Sequence, residues 1–446
     1  MSLLINAISA VGNNSGIYPL LVRDCGIEVP TKVIQTYKQN KKDSDLMAKH
    51  ATRERILDEY TTTAAWIGGV PLVEGIFNLC AKKKGFNGGV SYKLLENNEK
   101  TLKAGEKIQQ SLDINIQKFK DLAPKEVAEL EKIKNNKGMF KKFTVTKYAT
   151  ALAVPIALMG VIIPKSNFLL TSYLMDKDAQ KGLLPEKYLR KKVNISEKTA
   201  EQNYNKLNIT TNDTRYTNLN SIKQANTPSF TGFSSFMTGL SHQQKMAATD
   251  GGYAIGRIVT SRKRNEAIEN AFKMSGMMYL NFVAPKQIEK GLDYFTSKAF
   301  GINPDLDPKI MADKRFLAKV RSNKLELPKT QEEVLEFLDT KPKSIFSKFA
   351  AKSGEVKYLK SGVRDPRAFV DTEKVFKLAT KMNTFANDAR KSGDVVKYAN
   401  KALKAKSANI VANIAISSAL LAIALPQSIF ALRKLLFKSN VDPGLV

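Results

Sequence analysis

Apolar residues in this chain gather into four stretches separated by long polar runs. Tyr60–Cys80 contains one charge, Glu74. Tyr148–Pro164 contains none and, after Lys165, continues uncharged to Met175. Ser407–Leu432 is the longest of the four and carries no charge, whereas Met274–Pro285 is the shortest. A helix needs about 20 mostly apolar residues to cross the hydrocarbon core of a bilayer. The Ser407 stretch meets that length, and the Tyr148 stretch meets it if Lys165 snorkels. Tyr60–Cys80 is borderline, and Met274–Pro285 reads as an interfacial, re-entrant or buried helix. The competing reading is a large soluble helical protein with apolar central helices. The uncharged length of the Ser407 stretch favours the membrane.

The polar runs carry helical periodicity. Ile108, Leu112, Ile116 and Phe119 form one apolar face and predict a helix within 97–122. Pro124 opens a second helix with Val127, Leu130 and Ile133 on one side. Asp307-Pro308 and Asp365-Pro366 each place a capping acid before a proline at the first helical position. Thr330-Gln-Glu-Glu333 is a capping box, and Gly393 is expected to end the helix begun at Asp365. No run alternates as a strand would, so the expected fold class is all-α, with two similar helical lobes. The lobes are residues 1–184 and 231–446, joined by an Asn-rich linker at 185–230.

The likeness of the lobes rests on spacing. An offset of 262 pairs Ala153 with Ala415, Leu158 with Leu420, Pro164 with Pro426 and Phe168 with Phe430. Each shorter apolar stretch contains a proline, Pro71 or Pro285, and then reaches a Gly-x-Asn, Gly85/Asn87 or Gly301/Asn303. Asp24 and Asp250 each stand before a basic helix. Parallel repeats of this kind occur in membrane transporters and in two-lobed scaffolds.

Charge narrows the partners. Lys+Arg exceeds Asp+Glu by 71 to 42, a net charge of +29. Lysines outnumber the 14 arginines about fourfold, and the excess is spread over both halves. Arginine's planar fork suits bidentate phosphate and base contacts, whereas lysine suits diffuse attraction. Anionic membrane lipids are therefore the expected partners, with protein partners or self-association, and nucleic acid is disfavoured. Two cysteines (Cys25, Cys80) and two histidines (His50, His242) exclude a Cys/His zinc cluster. The glycine doublets extend to no phosphate-binding pattern. No nucleophile–base pair or carboxylate dyad stands out, and no catalytic residue, metal or cofactor is expected. The chain is uncharged from Met1 to Val22, but Gly12–Gly16 interrupts that run, so no cleaved signal is expected.

Among polar residues, Glu74 is the sharpest candidate, because an acid inside an apolar span is costly and usually has a role. Its simpler reading is that Pro71 breaks the stretch and Glu74 begins a second, interfacial helix. His50 and Glu54, one turn apart, read as a surface pair. Leu20–Lys32 (LLVRDCGIEVPTK) and His50–Tyr60 (HATRERILDEY) together resemble a family of lysine- and asparagine-rich, membrane-associated bacterial proteins. The likeness is confined to this early part of the chain and departs from the family's pattern at Lys32, where arginine is more typical. It implies a bacterial inner-membrane location. It also implies structural roles for Asp24, Pro30, Arg53 and Glu54 in an ion-pair network, without catalysis. Asp250 joins the candidates as the counterpart of Asp24.

Overall fold

The computed structural model describes residues 3–13, 16–41, 45–100, 107–183, 242–259, 261 and 264–437. The expected linker at 185–230 lies outside the described residues. The fold is all-α: no strand occurs among the described residues, and one isolated bridge joins Tyr358 and Arg364.

The first half begins with α1 (Leu3–Gly12) and α2 (Tyr18–Leu21). A π-helical turn (Val22–Glu28) then leads into α3 (Val29–Asn40). Next come α4 (Asp45–Lys83), α5 (Tyr92–Glu99), α6 (Leu112–Phe119), α7 (Pro124–Asn135) and α8 (Lys137–Ala157). A second π-turn (Leu158–Ile162) joins α8 to α9 (Ile163–Gln180). The second half holds α10 (His242–Val259), α11 (Arg264–Phe282) and α12 (Ala284–Phe300). Short helices follow: α13 (Pro308–Met311), α14 (Lys314–Arg321), α15 (Val334–Thr340) and α16 (Ile345–Lys352). Last come α17 (Thr372–Lys391), α18 (Val395–Ala419), a π-turn (Leu420–Ala424) and α19 (Leu425–Leu432).

Three helices are long and apolar enough to cross a membrane: Asp45–Lys83, Lys137–Gln180 and Val395–Leu436. At 1.5 Å per residue, α4 is about 58 Å long, nearly twice a hydrocarbon core of about 30 Å. Only 28% to 44% of their apolar windows is buried within the protein. Leu72, Leu79, Leu169 and Val411 are all well exposed. In water these side chains would form a large uncovered apolar surface; in lipid they are solvated.

One expectation about these helices changes. Pro71 does not break its stretch: α4 runs unbroken through it. A missing N–H costs one ladder bond, which neighbouring helices can offset when they hold the chain on both sides. Other prolines act differently. Pro30, Pro164 and Pro426 each follow a π-turn, and each has a small residue four positions earlier: Gly26, Gly160 and Ala422. A proline ring collides with the carbonyl four residues back, and the wider π-turn relieves that collision. The carbonyl of Ala422, whose i+4 neighbour Pro426 has no N–H to give, accepts the Gln35 amide at 3.3 Å.

The remaining helices form a head with its own core. Its centre gathers Phe316, Val320, Val334, Leu338, Phe346, Met382 and Phe385, all buried. A second cluster joins Ala81, Leu94, Leu95, Leu112, Leu130 and Phe140, tying α5–α8 to the end of α4. The two parts of the head dock by backbone and amide bonds. Gln110 donates to the Val370 carbonyl at 2.7 Å and accepts from its N–H at 2.9 Å, and Asn115 donates to the Pro366 carbonyl at 2.8 Å. Arg367 joins Glu129 at 3.0 Å and Asp365 at 2.9 Å, and these hydrogen bonds hold its guanidinium basicity above the ordinary value.

Local boundaries also differ from expectation. Of the helix expected within 97–122, α6 forms over Leu112–Phe119, Ile108 lies outside it, and Ser111 caps it through the Ile114 N–H. Asp365 begins no helix: α17 starts at Thr372 under the cap of Asp371, and Gly393 (φ 79°) follows its end. Asp365 instead binds the Arg367 side chain. Asp307 does cap α13, and Pro124 does open α7.

The apolar helices meet through small residues. A Cβ on Gly256 of α10 would stand 3.2 Å from the Gly160 Cα in the second π-turn. Gly256→Val is therefore expected to destabilise the protein by about 1–3 kcal/mol by wedging α10 off that turn. Thermal unfolding in detergent checks this, and an unchanged midpoint would contradict the close approach.

Candidate functional site

Buried and half-buried ionisable side chains are the chemically distinctive feature of this bundle, since burying a charge costs several kcal/mol unless it is paired. They lie where the Val22–Asn40 segment and α10 pack against the long helices. Lys32 is 6% exposed and reaches two acids: it pairs with Glu28 one turn earlier and stands 3.5 Å from Glu59 of α4. Arg55 closes on the same Glu59 at 2.8 Å. One turn of α4 therefore presents alternating charges to α3.

α10 mirrors this on the other side of α4. Arg257 donates to Asp58 at 2.7 Å and to the Tyr253 hydroxyl at 3.1 Å. Lys245 reaches Glu74 at 2.5 Å and lies 4.0 Å from the Tyr148 ring centroid. Glu74 is thus a paired acid on a continuous helix. Lys147, buried on α8, donates to the Gly88 carbonyl at 2.7 Å and to Asn78 at 3.4 Å. In the second half, Lys406 holds Glu289 and Asp293, each at 2.8 Å. Asn409 also donates to Asp293 at 2.8 Å.

His50 is not the surface residue expected. It is 5% exposed, and its Nε2 lies 2.7 Å from Asp178 at the end of α9. Arg53 donates to its Nδ1 at 3.0 Å, which leaves the Nε2–H to donate to Asp178. Arg53 therefore serves this clamp, while Arg55, two residues on, enters the Lys32–Glu59 layer. Glu54 sits on α4 between them, and Pro30 begins α3 just past the first π-turn.

Asp24 lies in the first π-turn and is 8% exposed; Asp250 of α10 is mostly covered. Asp24 lies within the fields of Glu28, Arg23, Asp250 and Lys32. Neither acid is on one of the three membrane-long helices. Burial first, and Glu28 second, push both carboxyls up from the ordinary carboxylate range, Asp250 to about 8. Arg23, 2% exposed, donates its Nε to the Pro19 carbonyl at 3.3 Å. Its Nη1 and the Asp24 Oδ1 are buried without a hydrogen-bond partner among the described residues. Among the described residues, no three His, Cys, Asp or Glu side chains are grouped to hold a metal ion.

Comparison with family models, with curated proteins and with solved structures returns no match. Geometry must therefore carry the functional reading.

The head offers a second feature. A cleft of about 450 Å³ is lined by Lys314, Arg315, Lys348 and Lys352, with Ile345 and Phe349 as its apolar floor. Its one acid, Asp313, is occupied in capping the Arg315 and Phe316 N–H groups of α14. A neighbouring cleft of about 410 Å³ adds Lys319, Lys341 and Lys343 on the other side of Ile345. This face is not visible in the sequence because its cations come from two short helices, α14 and α16, and the turn after α15, and look unremarkable in a lysine-rich chain. Arg23, Glu28 and Lys32 also escape notice in the sequence, although the Glu28–Lys32 spacing of four is a readable signal.

Proposed function

We propose that this protein is a membrane-embedded helical scaffold whose long helices anchor a basic head beside an anionic membrane surface. The observation that carries this reading is the pairing of three membrane-long helices, apolar on their outer faces, with a head that has a separate core. α18 is continuous between the two, from the capped Asp394 start in the head into the apolar run. The four cations around the 450 Å³ cleft pair with no carboxylate among the described residues, so their charge is available to headgroup phosphates. Lysine suits such diffuse attraction.

The scaffold is read as two like units. The π-turns Leu158–Ile162 and Leu420–Ala424 match each other at the offset that also pairs Pro164 with Pro426. At the same offset, Phe140, Thr144, Lys147, Ala151 and Met159 are buried, as are Ala402, Lys406, Asn409, Asn413 and Leu421. Gly85 (φ 83°) and Gly301 (φ 61°) turn the chain alike, and Asn87 and Asn303 each accept the N–H two residues on. Such agreement in special backbone features supports a duplicated unit better than apolar identities do.

The test uses full-length protein in neutral-lipid nanodiscs, mixed with phosphatidylcholine vesicles with and without phosphatidylglycerol. Binding is expected only to the anionic vesicles. Lys314→Glu, Arg315→Glu, Lys348→Glu and Lys352→Glu together should reduce it at least tenfold. Equal binding by the fourfold variant would overturn the role of this face.

A small transporter of two parallel units is the second reading, favoured by the ionisable layer between the units. It predicts proton movement into proteoliposomes holding a pH-sensitive dye, reduced by Glu74→Gln; the rate of protein-free liposomes would remove it.

A further inference from the structure

A helix in water turns its acids out and its rings in; α12 does the reverse. Glu289, Asp293 and Thr296 fall on one face, and that face meets α18. Glu289 and Asp293 hold Lys406, each at 2.8 Å, and the Thr296 hydroxyl donates to the Asn409 Oδ1 at 3.1 Å. The Asn413 amide donates to the Pro285 carbonyl at 3.1 Å, so the two helices lie side by side and run in opposite directions. The other face of α12 presents Tyr294 and Phe295, which are 67% and 66% exposed. Lys286, Lys290 and Lys298 on this side are exposed as well, and the Lys298 Nζ lies 6.0 Å from the Tyr294 ring centroid.

Hydrogen bonds fix the height of this face along α18. Asp293, the neighbour of Tyr294, accepts from Lys406 and Asn409. Lys406 is the last charge on α18 before the uncharged run Ser407–Leu432. Tyr294 and Phe295 therefore stand level with the start of that run, and Lys286, beside Pro285, stands level with Asn413. On the far side, the Asn303 N–H donates to the Tyr398 hydroxyl at 3.2 Å, within the head. At 1.5 Å per residue Ser407–Leu432 is about 39 Å long, about 9 Å more than a hydrocarbon core of about 30 Å. The surplus fits the Ser407–Asn413 end, where α12 sets exposed lysines beside it. Rings and lysines together are what the headgroup level of a bilayer favours: the ring has an apolar body to shelter, and the cation meets phosphate.

We infer that the outward face of α12 docks in the headgroup layer of a phospholipid membrane, with Tyr294 and Phe295 wedged between headgroups and Lys286, Lys290 and Lys298 against their phosphates. Continuity identifies the occupant: this face adjoins the exposed apolar surface of α18, where Val411 is 61% exposed, and ends at the head. Gly301 (φ 61°) then turns the chain into the head, so the belt on α12 sets the height of the head above the membrane. This placement rests on the long helices being membrane-embedded and adds the level at which the membrane meets them.

Depth-dependent quenching tests the belt separately from insertion. The full chain is placed in phosphatidylcholine vesicles whose acyl chains carry bromine either near the headgroup or near the bilayer centre. The chain's single tryptophan is removed by Trp66→Phe, so that one introduced ring reports. Phe295→Trp is expected to lose more emission to the bromines near the headgroup. Ile423→Trp, at an exposed position of α18 about 15 Å past Asn413, is expected to lose more to those near the bilayer centre. Central quenching at Ile423→Trp with none at Phe295→Trp would overturn the placement of α12 and leave insertion standing. So would quenching at Phe295→Trp that is strongest from the bilayer centre. Absence of central quenching at Ile423→Trp would overturn insertion, and the belt with it. A ring introduced by Phe295→Trp that neither bromine nor aqueous acrylamide reaches would mean that protein covers this face, which also overturns the inference. If Trp66→Phe does not fold, the difference in emission from the native protein decides between the same outcomes.

Discussion

Asp339→Ala is expected to destabilise the head by about 3–5 kcal/mol, the range for stranding a buried charge. Asp339, near the end of α15, accepts the Arg364 Nε at 2.7 Å and Nη2 at 3.2 Å, and Lys118 reaches it at 2.7 Å. Arg364 is 2% exposed, and its guanidinium lies 5.0 Å from the Phe119 ring centroid. Its Nη1 already lacks a partner among the described residues. Removing the carboxylate leaves a cation that water cannot reach, and it also breaks a tie between the two parts of the head. The control is the double variant Asp339→Ala, Arg364→Met, which removes both charges and keeps most of the volume. It should recover more than half of the loss in urea unfolding. A single variant whose urea midpoint matches that of the native protein would show that this pair is dispensable.

Phe385→Ala should cost a similar amount, about 3–5 kcal/mol, for a different reason. Phe385 is 2% exposed on α17, with ring centroids 5.9 Å from Phe316 and 5.5 Å from Tyr398. It therefore joins α14, α17 and the first turn of α18. Truncation opens a cavity where three helices meet and removes two ring contacts, each worth about 0.5–1.5 kcal/mol beyond area burial. Because α18 continues into the apolar bundle, its first turns are expected to loosen with the head. Hydrogen exchange is the readout: amides of Val395–Ala402 should lose protection, while those of Ser407–Ala419 keep it. Loss along the whole helix would mean that head and bundle form one cooperative unit.

The long helices were the most legible part of this chain, because uncharged length is written directly in the sequence. Caps with one chemical answer were legible too, as at Asp307-Pro308 and Pro124. Asp365-Pro366 carried the same local signal, but Arg367 claims the aspartate side chain, and tertiary contact outweighs the cap. Pro71 was weighed as a helix breaker from its missing N–H, yet the surrounding helices keep α4 continuous. Asp24 and Asp250 were singled out in the sequence by a repeat pattern. Which cations accompany them depends on how helices from both halves cross, and periodicity contains no information about that. His50 shows the same limit, since its partner Asp178 lies far along the chain, on α9.

Asp45–Lys83, Lys137–Gln180 and Val395–Leu436 are expected to be surrounded by lipid. Membranes of cells expressing the full chain, washed with alkaline carbonate and then with high salt, test this directly. The protein should stay in the pellet through both washes and leave only with detergent. Release into either wash as a monodisperse, folded protein would contradict membrane insertion.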